Sequence, residues 1–159
     1  TQKHRHKLRQ AFWEQALTQL RADGVTLYQN VSPGKDHWLS AGSGVSSCPF
    51  QMIFSRDEAR VEIEIRRPEA SENKWLYDRL IAEKAKIEAA FGAALDWRRM
   101  EDKKATKIIF AQSFDGYDHE NWPAMIAWLS SHIRKLEAAF REPLARLNRQ
   151  IRTQEEEGI

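Results

Sequence analysis

Segment 59–66 alternates between apolar and charged residues, and this alternation limits the possible folds more than any other feature of the sequence. Val61, Ile63 and Ile65 fall on one face of a β-strand, because successive strand residues point to opposite faces. The opposite face carries the charged residues Arg60, Glu62, Glu64 and Arg66. Such a strand predicts an antiparallel sheet that buries one face and leaves the other open to solvent.

Two hairpins are predicted around this pattern. The apolar segment 50–55 precedes the alternating strand, and the short connection 56–58 predicts a tight turn between them. Segments 95–98 and 105–111 are also rich in β-branched and aromatic residues, and the charged turn 101–104 joins them. A further short strand is expected at 37–39, between two loops that contain proline and glycine.

Three segments carry apolar residues every three or four positions, which predicts three helices. The first spans 7–20, the second follows Ser71 and ends at Gly92, and the third begins near Pro123 with Asn121 as its N-cap. Pro143 is expected to kink or end the third helix. The predicted fold is α+β, with about four antiparallel strands in two hairpins and three helices on one face. We expect one domain over residues 1–147 and a frayed, charged tail over 148–159.

Composition excludes several classes of protein. The chain has 159 residues with 25 Lys and Arg against 23 Asp and Glu, a balance typical of an ordinary globular domain. No apolar run approaches the roughly 20 residues that span a bilayer, so no membrane partner is expected. The single cysteine, Cys48, and the lack of zinc-type spacing favour a reducing, cytoplasmic setting, with no metal and no cofactor indicated.

The segment 32–44 is a candidate anion-binding loop because it combines glycines, hydroxyls and a cation. Backbone N–H groups released by glycine can form a concave anion site, which Lys35 and His37 would supplement with charge and Ser40 and Ser43 with hydroxyl donors. The segment is not a P-loop, since no Gly-Lys-Ser/Thr opens a following helix. The alternative is purely structural: the glycines turn the chain, and Trp38 packs in the core.

Two basic runs are candidate nucleic-acid contacts. The first lies in segment 3–9, and the second comprises Arg98, Arg99, Lys103, Lys104 and Lys107. Binding to a phosphate backbone requires several cations on one surface. The alternative is that both runs are solvated parts of a helix and a hairpin, since the net charge of the whole chain is only +2.

A second reading of the alternating strand concerns metal chemistry. Glu62 and Glu64 lie two residues apart on one strand face with Arg66 beyond them, a pattern that resembles the metal site of restriction-endonuclease-like nucleases. These enzymes place a lysine where Arg66 stands. A solvent-facing charge ladder with Arg60 explains the same residues. No catalytic triad can be assembled from the five histidines and Cys48.

The sequence is similar to a prokaryotic family of domains of unknown function over roughly residues 9–140. The segments that carry the resemblance are Phe12-Trp13, 32–44, 57–62, Glu72-Asn73-Lys74, Phe91-Gly92 and 120–123. The resemblance implies a position at the C-terminal end of larger proteins, often beside a nuclease-like or restriction-type segment. It implies a role next to DNA processing or defence and assigns no catalytic residues.

Together these observations predict a non-catalytic accessory domain that holds nucleic acid or assists assembly in a bacterial DNA-processing or defence protein. An attached or separate nuclease-type domain is one expected partner, and nucleic acid is another. Two alternatives stay open: a degenerate metal-dependent nuclease centred on Glu62 and Glu64, and a homodimerisation or interdomain adaptor. The nucleic-acid hypothesis requires folding to bring Lys35, Arg98 and Lys104 onto one surface.

Overall fold

The chain forms a five-stranded antiparallel sheet with four α-helices, and the computed structural model describes residues 1–158. The elements in chain order are α1 (Gln2–Ala22), β1 (Trp38–Ala41), β2 (Phe50–Phe54), β3 (Glu58–Ile65), α2 (Ala70–Ile81), α3 (Lys84–Phe91), β4 (Asp96–Arg98), β5 (Thr106–Ser113), a short 3-10 helix (His119–Asn121) and α4 (Trp122–Glu157). The α+β class is confirmed, whereas the predicted numbers of strands and helices are each one too low.

The strand order across the sheet is β1-β2-β3-β5-β4. Both predicted hairpins are present, and β3 lies at the centre, paired with β2 on one side and β5 on the other. The fifth strand is β1, which pairs along its whole length with β2. The sequence predicts a short strand here without a pairing partner. A segment of four residues does not indicate which strand it pairs with, and the pairing with β2 depends on the path of the loop 42–49.

One face of the sheet carries the core. Val61, Ile63 and Ile65 are fully buried and share their face with the β2 residues Phe50, Met52 and Phe54, as the strand register requires. Helix α4 packs against β3 and β2 on this face, and α1 and α3 pack against α4. The predicted core face of the alternating strand is therefore confirmed. The opposite face is not open to solvent as predicted, because Glu62 is fully buried there and Gln51, Ile53 and Ile109 are also buried.

The predicted second helix is two helices. The chain leaves regular geometry at Glu83, whose φ and ψ are −105° and 20°, so α2 ends at Ile81 and α3 begins at Lys84. Arg146 of α4 holds this break by donating from Nη2 to both carboxylate oxygens of Glu83 at 2.8 Å. The apolar periodicity continues through the break, and for that reason the sequence predicts one helix there.

Helix α4 does not end at Pro143, one of the two effects that the sequence predicts for this proline, and it continues to Glu157. Proline removes one backbone hydrogen bond from a helix interior, but its neighbours Phe140, Leu144 and Leu147 are all buried and their packing maintains the helix. The helix also continues ten residues past 147, and Ile151 in this extension is buried. No helix within residues 1–158 is long and apolar enough to cross a membrane.

An aromatic cluster joins the middle of α1 and the N-terminal end of α4 to the sheet. The Phe12 ring stacks on Phe54 with centroids 3.9 Å apart, and Trp122 meets both rings edge-on. Asn121 occupies the N-cap position of α4, as the sequence predicts, but its side chain makes no capping hydrogen bond, and its amide donates to the backbone oxygen of Asp115. The 3-10 turn that precedes α4 is capped by Asp118, whose carboxylate accepts from the N–H of Glu120.

Replacing Thr106 by valine is expected to stabilise the fold. Thr106 is fully buried on the core face of β5, and its hydroxyl has no hydrogen-bond partner among residues 1–158. Valine keeps the shape and removes the unpaired polar group, so the free energy of unfolding should rise by about 1 kcal/mol in urea titrations. Thr18→Val at an exposed position of α1 is the control, and a loss of stability in Thr106→Val would contradict the assignment.

Candidate nucleic-acid interface

The strand register divides the predicted site residues between the two ends of the sheet. Segments 42–49, 66–69 and 99–105 follow or precede strands at one end, which we call the Arg67 end. Lys35 and His37 precede β1 at the other end, the Lys35 end. Strands β1 and β4 are also the two outermost strands, about 19 Å apart at typical strand spacing. Lys35 and the hairpin cations therefore lie at diagonally opposite corners of the sheet.

The candidate anion loop at 32–44 is not one loop, because β1 runs through its middle. The Ser40 hydroxyl donates to the Gln51 side chain at 3.1 Å, and the Ser43 hydroxyl donates to the backbone oxygen of Cys48. Both serines are thus used within the fold. Lys35 and His37 are exposed. Partial burial of the His37 ring, assisted by the charge of Arg9, lowers the pKa of His37. Folding does not gather these four residues around one anion.

Most cations of the second basic run are paired with carboxylates. Arg98 contacts Asp96 at 2.7 Å, and Arg99 contacts Asp78 at 2.9 Å and Glu101 at 2.7 Å. The pKa of Arg99 is raised, above all by its hydrogen bond to Asp78. Lys103 and Lys104 differ: both are exposed in the β4–β5 connection, and neither forms a salt bridge within the described part of the chain.

The β4–β5 connection is held by two side chains of α2 that the sequence analysis did not identify as functional. The Lys74 ammonium donates to three backbone oxygens, those of Arg99 (2.6 Å), Met100 (2.9 Å) and Ala105 (3.1 Å). The buried Asn73 amide donates to the backbone oxygen of Lys104 at 3.1 Å. Asn73 and Lys74 belong to the Glu72-Asn73-Lys74 motif of the family resemblance, which was the available signal.

Arg67 is a third residue that sequence reasoning missed. It follows β3 at the Arg67 end and is only 9% exposed. Asn73 fixes its backbone, accepting from the Arg67 N–H at 2.8 Å and donating to its oxygen at 3.0 Å. A hydrogen bond to Glu72 raises the pKa of Arg67 despite burial. The sequence offered no signal beyond a charged residue after a strand, a position that is usually solvated.

Glu62 and Glu64 lie on the face of the sheet opposite the core, within a network of opposite charges. Arg60 contacts Glu62 at 3.2 Å, and the Lys107 ammonium lies 3.8 Å from Glu62 and 3.6 Å from Glu64. Gln51 donates to both carboxylates at 3.2 Å. This arrangement is the charge ladder expected as the alternative to a metal site. No group of three or more metal-ligating residues occurs among residues 1–158.

Glu62 is the most buried charge in this ladder, with no exposed surface. Burial raises the pKa of its carboxyl, and the charges of Lys107 and Arg60 offset that effect only in part. Burial alone would lower the pKa of Arg60, but Glu58 and Glu62 outweigh it and raise that pKa. Arg60 is one quarter exposed and shares two carboxylates, so the desolvation cost falls mainly on Glu62.

Comparison with known proteins gives one match. Residues 8–144 match a family described as a domain of unknown function, DUF4268. The match covers most of the chain and confirms the resemblance to a domain of unknown function. Its range includes β1 to β5, the Lys74 contacts and Arg67, and it ends within α4 just after Pro143. No curated protein and no solved structure matches the chain.

Lys74→Met is expected to loosen the β4–β5 connection. Methionine retains the length of the side chain but cannot donate to the three backbone oxygens, and such charge-assisted bonds together contribute about 2 kcal/mol or more. Amide hydrogen exchange should accelerate in residues 99–105 more than in β2 or β3. The matched control is Lys84→Met, an exposed lysine of α3, and equal exchange in both variants would contradict the assigned role.

Glu62→Gln is expected to change the pH dependence of stability. An acid whose pKa is raised on folding stabilises the native state at low pH, and that contribution is lost as pH rises from the unfolded pKa through the folded one. Glutamine lacks this contribution. The wild-type advantage in free energy of unfolding should therefore decline as urea titrations move upward from pH 4.5, the ordinary pKa of the group. An advantage that grows with pH would show that Arg60 and Lys107 dominate instead.

Proposed function

We propose a function for this chain, which belongs to the DUF4268 family of domains of unknown function: it is a non-catalytic accessory domain that contacts the phosphate backbone of nucleic acid. The contact surface is the Arg67 end of the sheet, and the β4–β5 connection is its principal element. The nucleic-acid hypothesis from the sequence required Lys35, Arg98 and Lys104 to share one surface. The proposed surface omits Lys35, because the strand order separates it from the other two.

The observation that carries the proposal is the support given to the β4–β5 connection. Lys74 and Asn73 together donate four hydrogen bonds to backbone oxygens of residues 99–105. Lys103 and Lys104 are exposed on the connection held in this way. A rigid backbone reduces the entropy lost when exposed side chains bind, so cations held on it are better suited to a ligand than cations on a mobile loop.

The neighbouring charges favour a polyanion over a single small anion. Arg66 and Arg98 lie at or near the same end of the sheet and are about half exposed. Each is paired with one carboxylate, Arg66 with Glu64 and Arg98 with Asp96. Exposed pairs of this kind contribute less than about 1 kcal/mol and exchange readily for phosphate contacts. Release of counterions from the nucleic acid would supply the affinity.

The wider context of the proposal comes from the family resemblance. A domain that follows a nuclease-like or restriction-type segment could retain nucleic acid near that segment, within a DNA-processing or defence protein. An accessory role agrees with the engagement of Glu62 and Glu64 in ion pairs with Arg60 and Lys107, which leaves their carboxylates neutralised. Association with a partner domain through the same surface is the adaptor alternative.

Neutralising Lys103 and Lys104 together as Lys103→Gln/Lys104→Gln is expected to weaken binding to a single-stranded oligonucleotide. The slope of log affinity against log salt concentration is negative, and it should become shallower by about 1.4. Each lost phosphate contact on a single strand reduces its magnitude by about 0.7. Gel-shift titrations over a salt series measure this slope. Lys84→Gln/Lys86→Gln removes the same charge from exposed positions of α3 and is the matched control.

Three outcomes would contradict the proposal. The first is equal salt slopes for the two double variants, and the second is absence of binding in wild-type protein at 50 mM salt. The third is Mg²⁺-dependent cleavage of the oligonucleotide that is lost in Glu64→Ala, which would favour the nuclease alternative. If wild-type protein leaves nucleic acid unbound but forms a stable dimer, the adaptor alternative replaces the proposal.

A further inference from the structure

A groove of about 640 Å³ lies between the β1–β2 loop and the last turns of α4. Its lining includes Gly42, Gly44, Ser46, Ser47, Arg67 and Arg152. The groove adjoins the β4–β5 connection, because Asn73 bridges the backbone of Arg67 to that of Lys104. Cations and backbone amides thus meet at the Arg67 end of the sheet, in a concave site that shares only Gly42 and Gly44 with the predicted anion loop.

The guanidinium of Arg67 has three partners in this groove. Nε donates to Glu72 at 2.6 Å, Nη1 to the backbone oxygen of Ser46 at 3.2 Å, and Nη2 to Glu155 at 3.2 Å. The Arg67 side chain is 11% exposed, whereas that of Glu155 is 63% exposed. Glu155 is therefore the more exposed of the two carboxylates on Arg67, since Glu72 is 43% exposed, and it is the easier for another anion to replace.

The turn beside Arg67 supplies neutral donors. The backbone oxygen of Val45 accepts a hydrogen bond from the N–H of Cys48. This bond closes a turn in which Ser47 has a φ of 60°. The N–H groups of Ser46 and Ser47 have no acceptor within residues 1–158, and both residues are exposed. Successive amide groups in such a turn form the type of concave surface that binds oxyanions.

We propose that this groove is a phosphate-binding site and that Glu155 occupies it as an intramolecular competitor. Arg67, Arg152 and the Ser46–Ser47 turn bind the phosphate, and Glu155 leaves Arg67 when phosphate enters. Departure of Glu155 leaves two arginines against Glu72 in the site, so the groove gains net positive charge as the competitor leaves. The bidentate geometry of a guanidinium suits a phosphate that replaces a carboxylate.

The inference rests on the proposed function for the source of the phosphate, which is the backbone of the nucleic acid bound at the same end of the sheet. The acidic end of α4 then limits access to the site. The nucleic acid must displace Glu155 before one of its backbone phosphates reaches Arg67. In the simpler alternative, the Glu155 contact serves only to hold the last turn of α4 against the sheet.

Inorganic phosphate is the first probe. Titration into ¹⁵N-labelled protein at constant ionic strength should shift the amide signals of Ser46 and Ser47. Glu155→Gln should bind phosphate about two- to fivefold more tightly than wild type, the range that an exposed ion pair allows. Glu156→Gln removes the same charge one residue away and should match wild type. Equal affinities in the Glu155 and Glu156 variants, or no shift at the turn, would overturn the proposal.

Arg152→Gln provides a second variant that does not disturb the buried Arg67. Arg152 is exposed at the rim of the groove, and its loss should weaken phosphate binding by at least threefold while the far-ultraviolet circular dichroism spectrum stays unchanged. If Glu155→Gln fails to fold, this variant still tests the site. Unchanged phosphate affinity in Arg152→Gln would contradict the assigned ligand set.

A single-stranded oligonucleotide is the second probe, and it separates this inference from the proposed function. Tighter oligonucleotide binding by Glu155→Gln, together with the Ser46 and Ser47 shifts, supports both. Phosphate binding without oligonucleotide binding leaves the groove as a site for free phosphate and removes the proposed function. Oligonucleotide binding that depends on Lys103 and Lys104 but is unaffected by Glu155→Gln overturns the groove and leaves the proposed function standing.

Discussion

The burial of one face of β3 against α4 is the constraint on which the rest of the structure depends. Val61, Ile63 and Ile65 are fully buried there, and burial of each such side chain stabilises a fold by about 1.5–3 kcal/mol. A one-residue shift of β3 would expose these three side chains and bury Arg60, Glu62 and Glu64 under the helices. The burial of this face of β3 sets the register of β2 and β5 against β3. That register in turn places the loops at the two ends of the sheet.

The face of the sheet opposite the core pairs its charges internally. Glu62 and Glu64 neutralise Arg60 and Lys107, so the centre of the sheet offers little net charge to a polyanion. Exposed cations at the Arg67 end, where loops replace paired strands, include Lys103 and Lys104. Asn73 connects the two parts of that end, since its side chain binds the backbone of both Arg67 and Lys104.

Local sequence signals predicted both hairpins and most helical residues, because alternation and periodicity report directly on which face is buried. They failed where a distant contact overrides local preference. Arg146 binds Glu83 across 63 residues of sequence and holds the break between α2 and α3, and packing of Phe140 and Leu144 carries α4 through Pro143. For the candidate site, the hairpin lysines were identified from the sequence, whereas Asn73, Lys74 and Arg67 were missed because their partners lie in other loops.

The sequence alone determined the α+β class, the apolar core face of β3 and the positions of the basic residues, since each depends on patterns within a few residues of one another. The tertiary structure decided which of those residues meet. Strand order placed Lys35 and Lys104 at opposite corners, and the extension of α4 brought Glu155 to Arg67, 88 residues away in sequence. Such meetings depend on the free energy of the whole packed core, which no local pattern encodes.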